Sequence, residues 1–266
     1  MNGYLSYFKY ELLVQLQYRA AALAGILTQI FWGFIYALVY IAFYNHTSID
    51  SINLSELMSY VWLNQAFIRL IYLSYKDNEI MEKIKKGTVA YELCKPYDLY
   101  SWWFLKLLAK RYAECALRCL PVIIIALLLP EPYNLSLPES PMYFLLFLIT
   151  LLFGSFLIIS INMIVQIISF YTLQEKGITS IVYSLGSLLS GFTIPLPLMP
   201  GLMLKIANTL PFRFIGDLPF RLYSSNINYT YGLKCIIIQI MWIAVIILTG
   251  KILMNRTLRK VTIQGG

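Results

Sequence analysis

The chain has 266 residues, 59% of them hydrophobic and only 13% charged. A soluble domain carries roughly 25% charged residues, so a mean hydropathy of +0.68 excludes a water-exposed globule and points to a polytopic membrane protein. The net charge of +8, from 21 Lys and Arg against 13 Asp and Glu, takes its meaning from where the bases fall.

The first 19 residues are mixed, and Leu5, Phe8, Leu12 and Leu16 fall on one helical face interrupted by Lys9. This pattern predicts an interfacial helix on the cytosolic leaflet, or equally an ordinary start to the first span. No cleavable signal peptide is read, because the first apolar stretch is long and lies behind that mixed segment. Apolar runs of spanning length follow at 20–44, 56–74, 102–129, 142–171, 178–194 and 232–254, close to the roughly 20 residues that a crossing helix needs. The fifth is the shortest, and the third is charged in its first half.

The expected fold is therefore an all-α polytopic membrane protein with six transmembrane helices in a single domain. Residues 1–19 form the interfacial helix, 20–74 the first two spans, and 75–101 a cytosolic segment. Residues 102–194 hold the third to fifth spans, 195–231 an outer or re-entrant segment, 232–254 the sixth span and 255–266 a cytosolic tail. Orientation follows from the bases. Lys9, Arg19, Lys76, Lys83, Lys85, Lys86, Lys95, Lys176, Arg256, Arg259 and Lys260 fall on the side of the termini, against Lys205, Arg213 and Arg221 opposite. Basic residues in short loops mark the cytosolic face, so the positive charge reflects topology and not nucleic acid.

Within the cytosolic segment, Asp77, Glu79 and Glu82 precede Lys83, Lys85 and Lys86, which matches the helix dipole. Glu79–Lys83 and Glu82–Lys86 are supporting i,i+4 pairs. Gly87 stands where a C-terminal cap belongs. Thr88 can cap a second turn through Leu93, which Lys95-Pro96 ends. The expectation is two short helices broken at Gly87, with Ile80, Met81, Ile84, Val89 and Leu93 exposed. Such a piece can be a membrane-surface loop or a docking element for a soluble partner.

The third span opens with Lys106, Lys110, Glu114 and Arg118, four residues apart. This ladder reads as bases snorkelling to lipid headgroups, with Glu114 pairing Lys110 and Arg118, or as a charged mouth for an anionic or amphipathic substrate. In the fourth span, Ser155, Asn162, Gln166 and Ser169 share one face, as interhelical hydrogen bonds or as the lining of a path. Gln29, Trp32, Tyr36 and Tyr40 form a similar column in the first span, where packing is the ordinary role of large rings. Ala20, Ala21, Ala24 and Gly25, and Gly186 with Ser190, give small-xxx-small spacings suited to close helix contact. In 195–231, Pro195, Pro197, Pro200, Gly201, Pro211, Gly216 and Pro219 surround a short apolar helix holding Leu202, Met203, Leu204, Ile206, Ala207 and Leu210. Irregular backbone at membrane depth must be shielded by protein.

Enzyme chemistry finds few footholds. The single histidine, His46, precludes a two-histidine metal helix; Gly250-Lys251 is followed by Ile252, not Ser or Thr; and no GxSxG elbow occurs. Cys94, Cys115, Cys119 and Cys235 lack CxxC spacing and read as reduced packing residues.

The run Ile84-Lys85-Lys86-Gly87-Thr88-Val89-Ala90-Tyr91-Glu92-Leu93-Cys94-Lys95-Pro96 resembles the I-x-x-G-x-x-x-x-x-L-x-[KR]-P stretch of ABC-2 type permeases, the membrane subunits of ATP-driven exporters. It is most similar to the daunorubicin and peptide-antibiotic exporter branch, and the likeness extends to the whole layout. The resemblance implies that residues 75–100 contain a coupling helix seated in a separate ATP-binding subunit, with Glu79, Ile80, Glu82, Lys83 and Ile84 as contacts and Gly87 at the bend. It implies two ATPase subunits carrying ATP and Mg, no cofactor in this chain, and a second permease, identical or homologous. It further implies a bacterial plasma-membrane setting, and a first span near the partner permease, so that Gln29, Trp32 and Tyr36, together with Ser155, Asn162 and Gln166, are translocation-path candidates. Unlike the family's eukaryotic members, the chain has neither a fused ATPase nor a large outer domain. The competing classes are an ion-coupled secondary transporter, which needs repeats and mid-membrane acids, a membrane-embedded enzyme and a purely structural scaffold.

Overall fold

A computed structural model describes residues 2–17, 19–46, 51–73, 77–172 and 176–259. The described residues are helical, with no strand among them. Thirteen α-helices follow in order: α1 (Asn2–Gln15), α2 (Arg19–His46), α3 (Leu54–Ala66), α4 (Ile68–Ile71), α5 (Asn78–Lys85), α6 (Val89–Leu93), α7 (Leu99–Ala116), α8 (Cys119–Leu128), α9 (Pro141–Thr172), α10 (Lys176–Leu189), α11 (Gly201–Thr209), α12 (Asp217–Tyr223) and α13 (Tyr229–Leu258). Among the described residues, three helices are long and apolar enough to cross a membrane: α2, α9 over Pro141–Phe170, and α13. They coincide with the first, fourth and sixth expected spans.

The other expected spans are interrupted or short. The second divides at Phe67 into α3 and α4, the third divides at Leu117 and Arg118 into α7 and α8, and the fifth is the 14-residue α10. A helix start is marked by Asn53, whose side chain accepts from Glu56 N while Glu56 answers at the Asn53 N–H. This reciprocal box satisfies two otherwise orphaned donors.

The long α9 is the central post, with α12 and α13 packed along it and α3 set against α2 and α8. By contrast, α2 and α13 turn Leu23, Leu27, Phe31, Ile237, Met241 and Leu248 outward. A soluble protein does not leave such stripes uncovered, so they are surfaces for lipid or for a partner helix. The first helix lies along α7. The Trp102 ring is stacked by Tyr7 at 3.8 Å and by Tyr97 at 4.1 Å, and the Asp98 N–H donates to Tyr4 Oη at 3.0 Å. Leu5, Tyr10 and Leu13 are left exposed on α1.

The expected short apolar helix in 195–231 is α11. The loop structure around it reaches deep along α9: a Cβ added at Gly154 would meet the Ile215 carbonyl at 2.9 Å, roughly 20 Å from the start of α9 at 1.5 Å per residue. Irregular backbone there needs polar partners, and the neighbouring helices supply them. Tyr60 Oη donates to Gly191 O, Asn64 Nδ2 to Phe192 O and Tyr40 Oη to Thr193 O, each at 3.0 Å. Gln239, fully buried on α13, donates to Thr150 O at 2.9 Å and Phe214 O at 3.0 Å, tying three elements together.

Two sequence expectations about small residues are redirected. Gly25 accommodates a side chain of this same chain, since a Cβ there would lie 2.3 Å from Arg118 Nη1, and Gly186 packs against Leu73 and Phe212. All four cysteines are free thiols. Expectations that concern 74–76, 173–175 and 260–266, including Tyr75, Lys76 and Lys260, lie outside the described residues.

Candidate functional site

The segment after α4 forms the expected two helices. Asp77 begins α5 by accepting from Ile80 N at 3.0 Å, an N-cap bond that fills one orphan donor of the first turn. The i,i+4 pairs form: Lys83 Nζ is 2.7 Å from Glu79 Oε1, and Lys86 pairs with Glu82. Gly87 follows at φ +69°, the left-handed cap conformation that glycine adopts without a Cβ penalty. Thr88 precedes α6, but its hydroxyl makes no capping bond.

What the sequence left open is which face points outward. Ile80, Met81, Ile84 and Val89 are buried in the main core of this chain, which corrects the expectation that they are exposed. Ile80 and Ile84, expected among the partner contacts, thus lie on the face that covers the protein's own interior. Of the five apolar residues, Leu93 alone is exposed, at 41%. The outward surface carries Glu79, Glu82, Lys85, Lys86 and Gly87. Its most prominent feature is Tyr91, 75% exposed, which sequence reasoning passed over because a lone tyrosine in a charged run gives no periodic signal.

The element is braced from within. Lys83 Nζ lies 2.6 Å from Glu92 Oε1, joining α5 to α6, and Trp103 Nε1 donates to Glu92 Oε2 at 2.7 Å. From α7, Lys106 bridges Asp77 at 3.4 Å and Glu79 at 2.5 Å, while Lys110 reaches Asp77 at 3.5 Å. Partial burial tends to raise the Glu79 pKa, but hydrogen bonds from Lys106 and Lys83 outweigh it and hold the carboxyl down to about 2. Burial likewise opposes the Lys83 charge and is outweighed by Glu79 and Glu92, which raise its pKa. The charge ladder at the start of α7 thus serves this element. Lys106 and Lys110 meet carboxylates where snorkelling to headgroups was expected, and Glu114 engages Arg69 of α4 at 3.6 Å.

The path candidates divide. In the fourth-span stripe Ser155, Asn162 and Gln166 are all buried. Tyr112 and Ser155 share a hydroxyl bond of 2.8 Å. Asn162, with its amide oriented to satisfy both neighbours, donates to Leu73 O at 2.9 Å and accepts from Arg111 Nη2 at 2.6 Å. Arg111 also donates to Arg69 O at 3.1 Å, so it serves the carbonyls freed where α4 ends. Ser155 and Asn162 join elements of one chain, which supports the hydrogen-bonding reading of the stripe for these two, whereas the buried Gln166 Oε1 has no hydrogen-bond partner among the described residues. In the first span Gln29 is buried, Tyr36 is half-buried and Trp32 is 46% exposed. Trp32, Tyr36 and Tyr40 form a ladder with ring centroids 5.9 and 6.3 Å apart. A recess of about 10 Å³ beside it, lined by Tyr36, Tyr40, Asn64 and Phe192, has room for one water.

Among the described residues no cluster of His, Cys, Asp and Glu could hold a metal ion. Apolar membrane-length helices, outward hydrophobic stripes and a charged two-helix element set against them define a polytopic helical membrane protein. The sequence matches the ABC-2 family transporter proteins over residues 7–265, and the chain belongs to that family. A member is a membrane component of an ABC transporter, of the kind that typically pairs with an ATPase. No curated protein matches the chain.

Proposed function

We propose that the chain is the permease subunit of an ABC-2 type exporter and that it couples to a separate ATP-binding subunit through residues 75–101. The observation that carries this reading is the construction of α5 and α6. Their apolar side is used internally, a network of six ionisable groups locks them to each other and onto α7, and a charged face around Tyr91 is left outward. An element so braced moves as one body with α7, as transmission of force from a docked ATPase requires.

In this reading α3–α4, α7–α8 and α10 complete six crossings, two of them as composite helices whose breaks are served by side chains such as Arg111. Both termini and α5–α6 lie on the cytosolic side of a bacterial plasma membrane, and 195–231 is re-entrant from the outer side. Two ATPase subunits carry ATP and Mg, this chain holds no cofactor, and a second permease, identical or homologous, completes the path. The path side is the exposed α2 column at Trp32 and Tyr36, next to Gln29, while Ser155 and Asn162 brace the wall behind it and Gln166 packs within it. Glu114 is engaged by Arg69, which disfavours an ion-coupled transporter dependent on a free mid-membrane acid.

Co-purification tests the proposal. The unmodified chain from its native host should recover a Walker A-containing ATPase, and Tyr91→Ala combined with Glu82→Lys should lose it while leaving the Tm of the chain unchanged. Recovery of no ATPase with the unmodified chain overturns the permease reading. An intact complex with the double variant overturns the docking face.

A further inference from the structure

Arg118 is 9% exposed, at the break between α7 and α8. Its Nη2 donates to Ala21 O at 3.2 Å, its Nε has no partner, and no carboxylate among the described residues lies within ion-pair distance of it. It reaches this position because position 25 has no side chain: the guanidinium lies across Gly25 and meets the backbone one turn earlier, at Ala21. A buried guanidinium held by a single carbonyl is costly inside a membrane protein. Such a group calls for an anion.

Beside it is a cleft of about 320 Å³, lined by Gln15, Ala21, Ala22, Lys110, Glu114, Leu117 and Arg118. This is the lower end of the roughly 300–1,000 Å³ range of small-molecule sites. Glu114 would oppose an anion, but Arg69 engages it at 3.6 Å, and Lys110 is balanced by Asp77 at 3.5 Å. Arg69 and Arg118 thus share one carboxylate, which leaves an excess positive charge at the cleft. The cleft sits where α1 ends and α2 begins, with Ala21 roughly 3 Å along the axis from the first residue of α2, hence at headgroup level. Leu23 and Leu27 of α2 are 65% and 70% exposed just beyond it, an apolar track for acyl chains.

We infer that this cleft binds the phosphate headgroup of an anionic phospholipid, with Arg118 as its principal ligand and the acyl chains along Leu23 and Leu27. Through Lys110, which pairs with the Asp77 cap of α5, an occupied cleft adjoins the α5–α6 element. The inference rests on the membrane character of the chain and not on ATPase docking.

The test uses the full chain in detergent, with phosphatidylglycerol and phosphatidylcholine of identical acyl chains as probes and native mass spectrometry as the readout. The unmodified chain should retain phosphatidylglycerol in preference to phosphatidylcholine. Arg118→Gln should lower that preference about fivefold, the effect of one basic group near an anionic lipid surface, and Arg256→Gln should leave it unchanged. Ala21→Glu, at an exposed position of the cleft wall, adds a negative charge without removing the backbone carbonyl that Arg118 uses, so it should lower the preference at unchanged Tm; it decides the matter if Arg118→Gln does not fold. Equal retention of the two lipids, or a preference that survives Ala21→Glu and Arg118→Gln, overturns the site. Displacement of phosphatidylglycerol by millimolar inorganic phosphate overturns the lipid assignment in favour of a free-phosphate site.

Discussion

The Lys83 ammonium lies 2.6 Å from the Glu92 carboxylate and so closes α5 onto α6 across the bend at Gly87. Glu92 is at the same time held by Trp103 Nε1 at 2.7 Å. The two short helices are therefore fixed to each other and to α7, although neither is long enough to be stable alone.

The first prediction separates the two faces of this element. Ile80 is fully buried, so Ile80→Ala should destabilise the chain by about 2–5 kcal/mol, read as a lower Tm, and Ile80→Asp by more because it buries a charge. Tyr91→Ala should leave Tm within measurement error and lower ATPase recovery. The reverse ordering of the two positions would refute the assignment of faces.

The bend has its own signature. Nothing lies within 4 Å of a Cβ built at Gly87, yet its φ is +69°, so Gly87→Ala meets backbone strain and no clash. The expected cost is about 1–2 kcal/mol, with Gly87→Asn milder because asparagine tolerates this region. Thermal unfolding of the two variants beside the parent measures the difference.

Acid should loosen the element in a defined window. The Glu79 carboxyl is held down to about 2, against an ordinary 4.5, by Lys106 and Lys83 in spite of partial burial. Because the folded value is the lower one, its contribution is fully present above about 4.5 and is lost as pH falls toward 2. Glu79→Gln should flatten the fall of Tm across that interval and have little effect on its slope at neutral pH. Equal acid slopes for parent and variant would contradict the pairing.

The stripe on α9 and the column on α2 should respond differently. Asn162→Ala removes the acceptor for Arg111 Nη2 and the donor to Leu73 O, at a cost of about 1–3 kcal/mol. Trp32, nearly half exposed, should tolerate Ala with little change in stability, within roughly 0.5 kcal/mol as for surface positions generally. Tm values for the two variants decide between a bracing and a lining role.

Much of this molecule is legible from local patterns. The composition places it in a membrane, the break at Gly87 follows from acids before bases and a glycine behind them, and the i,i+4 pairs of α5 form as the spacing predicts. Ser155 and Asn162 fall on one face as expected. Their partners Tyr112 and Arg111 are 43 and 51 positions away in the chain, and spacing within one helix carries no information about such pairings. The same limit applies to Gly25, whose small size reads as a helix contact until Arg118 is seen lying across it.

Sequence alone determined the class of solvent, the helical period and the location of the charged element, because hydropathy, caps and dipole pairing act within a few residues. Only the tertiary structure decided which side of α5 is buried, what Lys106 and Lys110 meet, and that Arg118 is buried beside an open cleft with no carboxylate among the described residues at ion-pair distance from it. Those outcomes depend on the placement of helices remote in the chain, where burial sets the cost of an unpaired charge and the neighbouring helix supplies or withholds its partner.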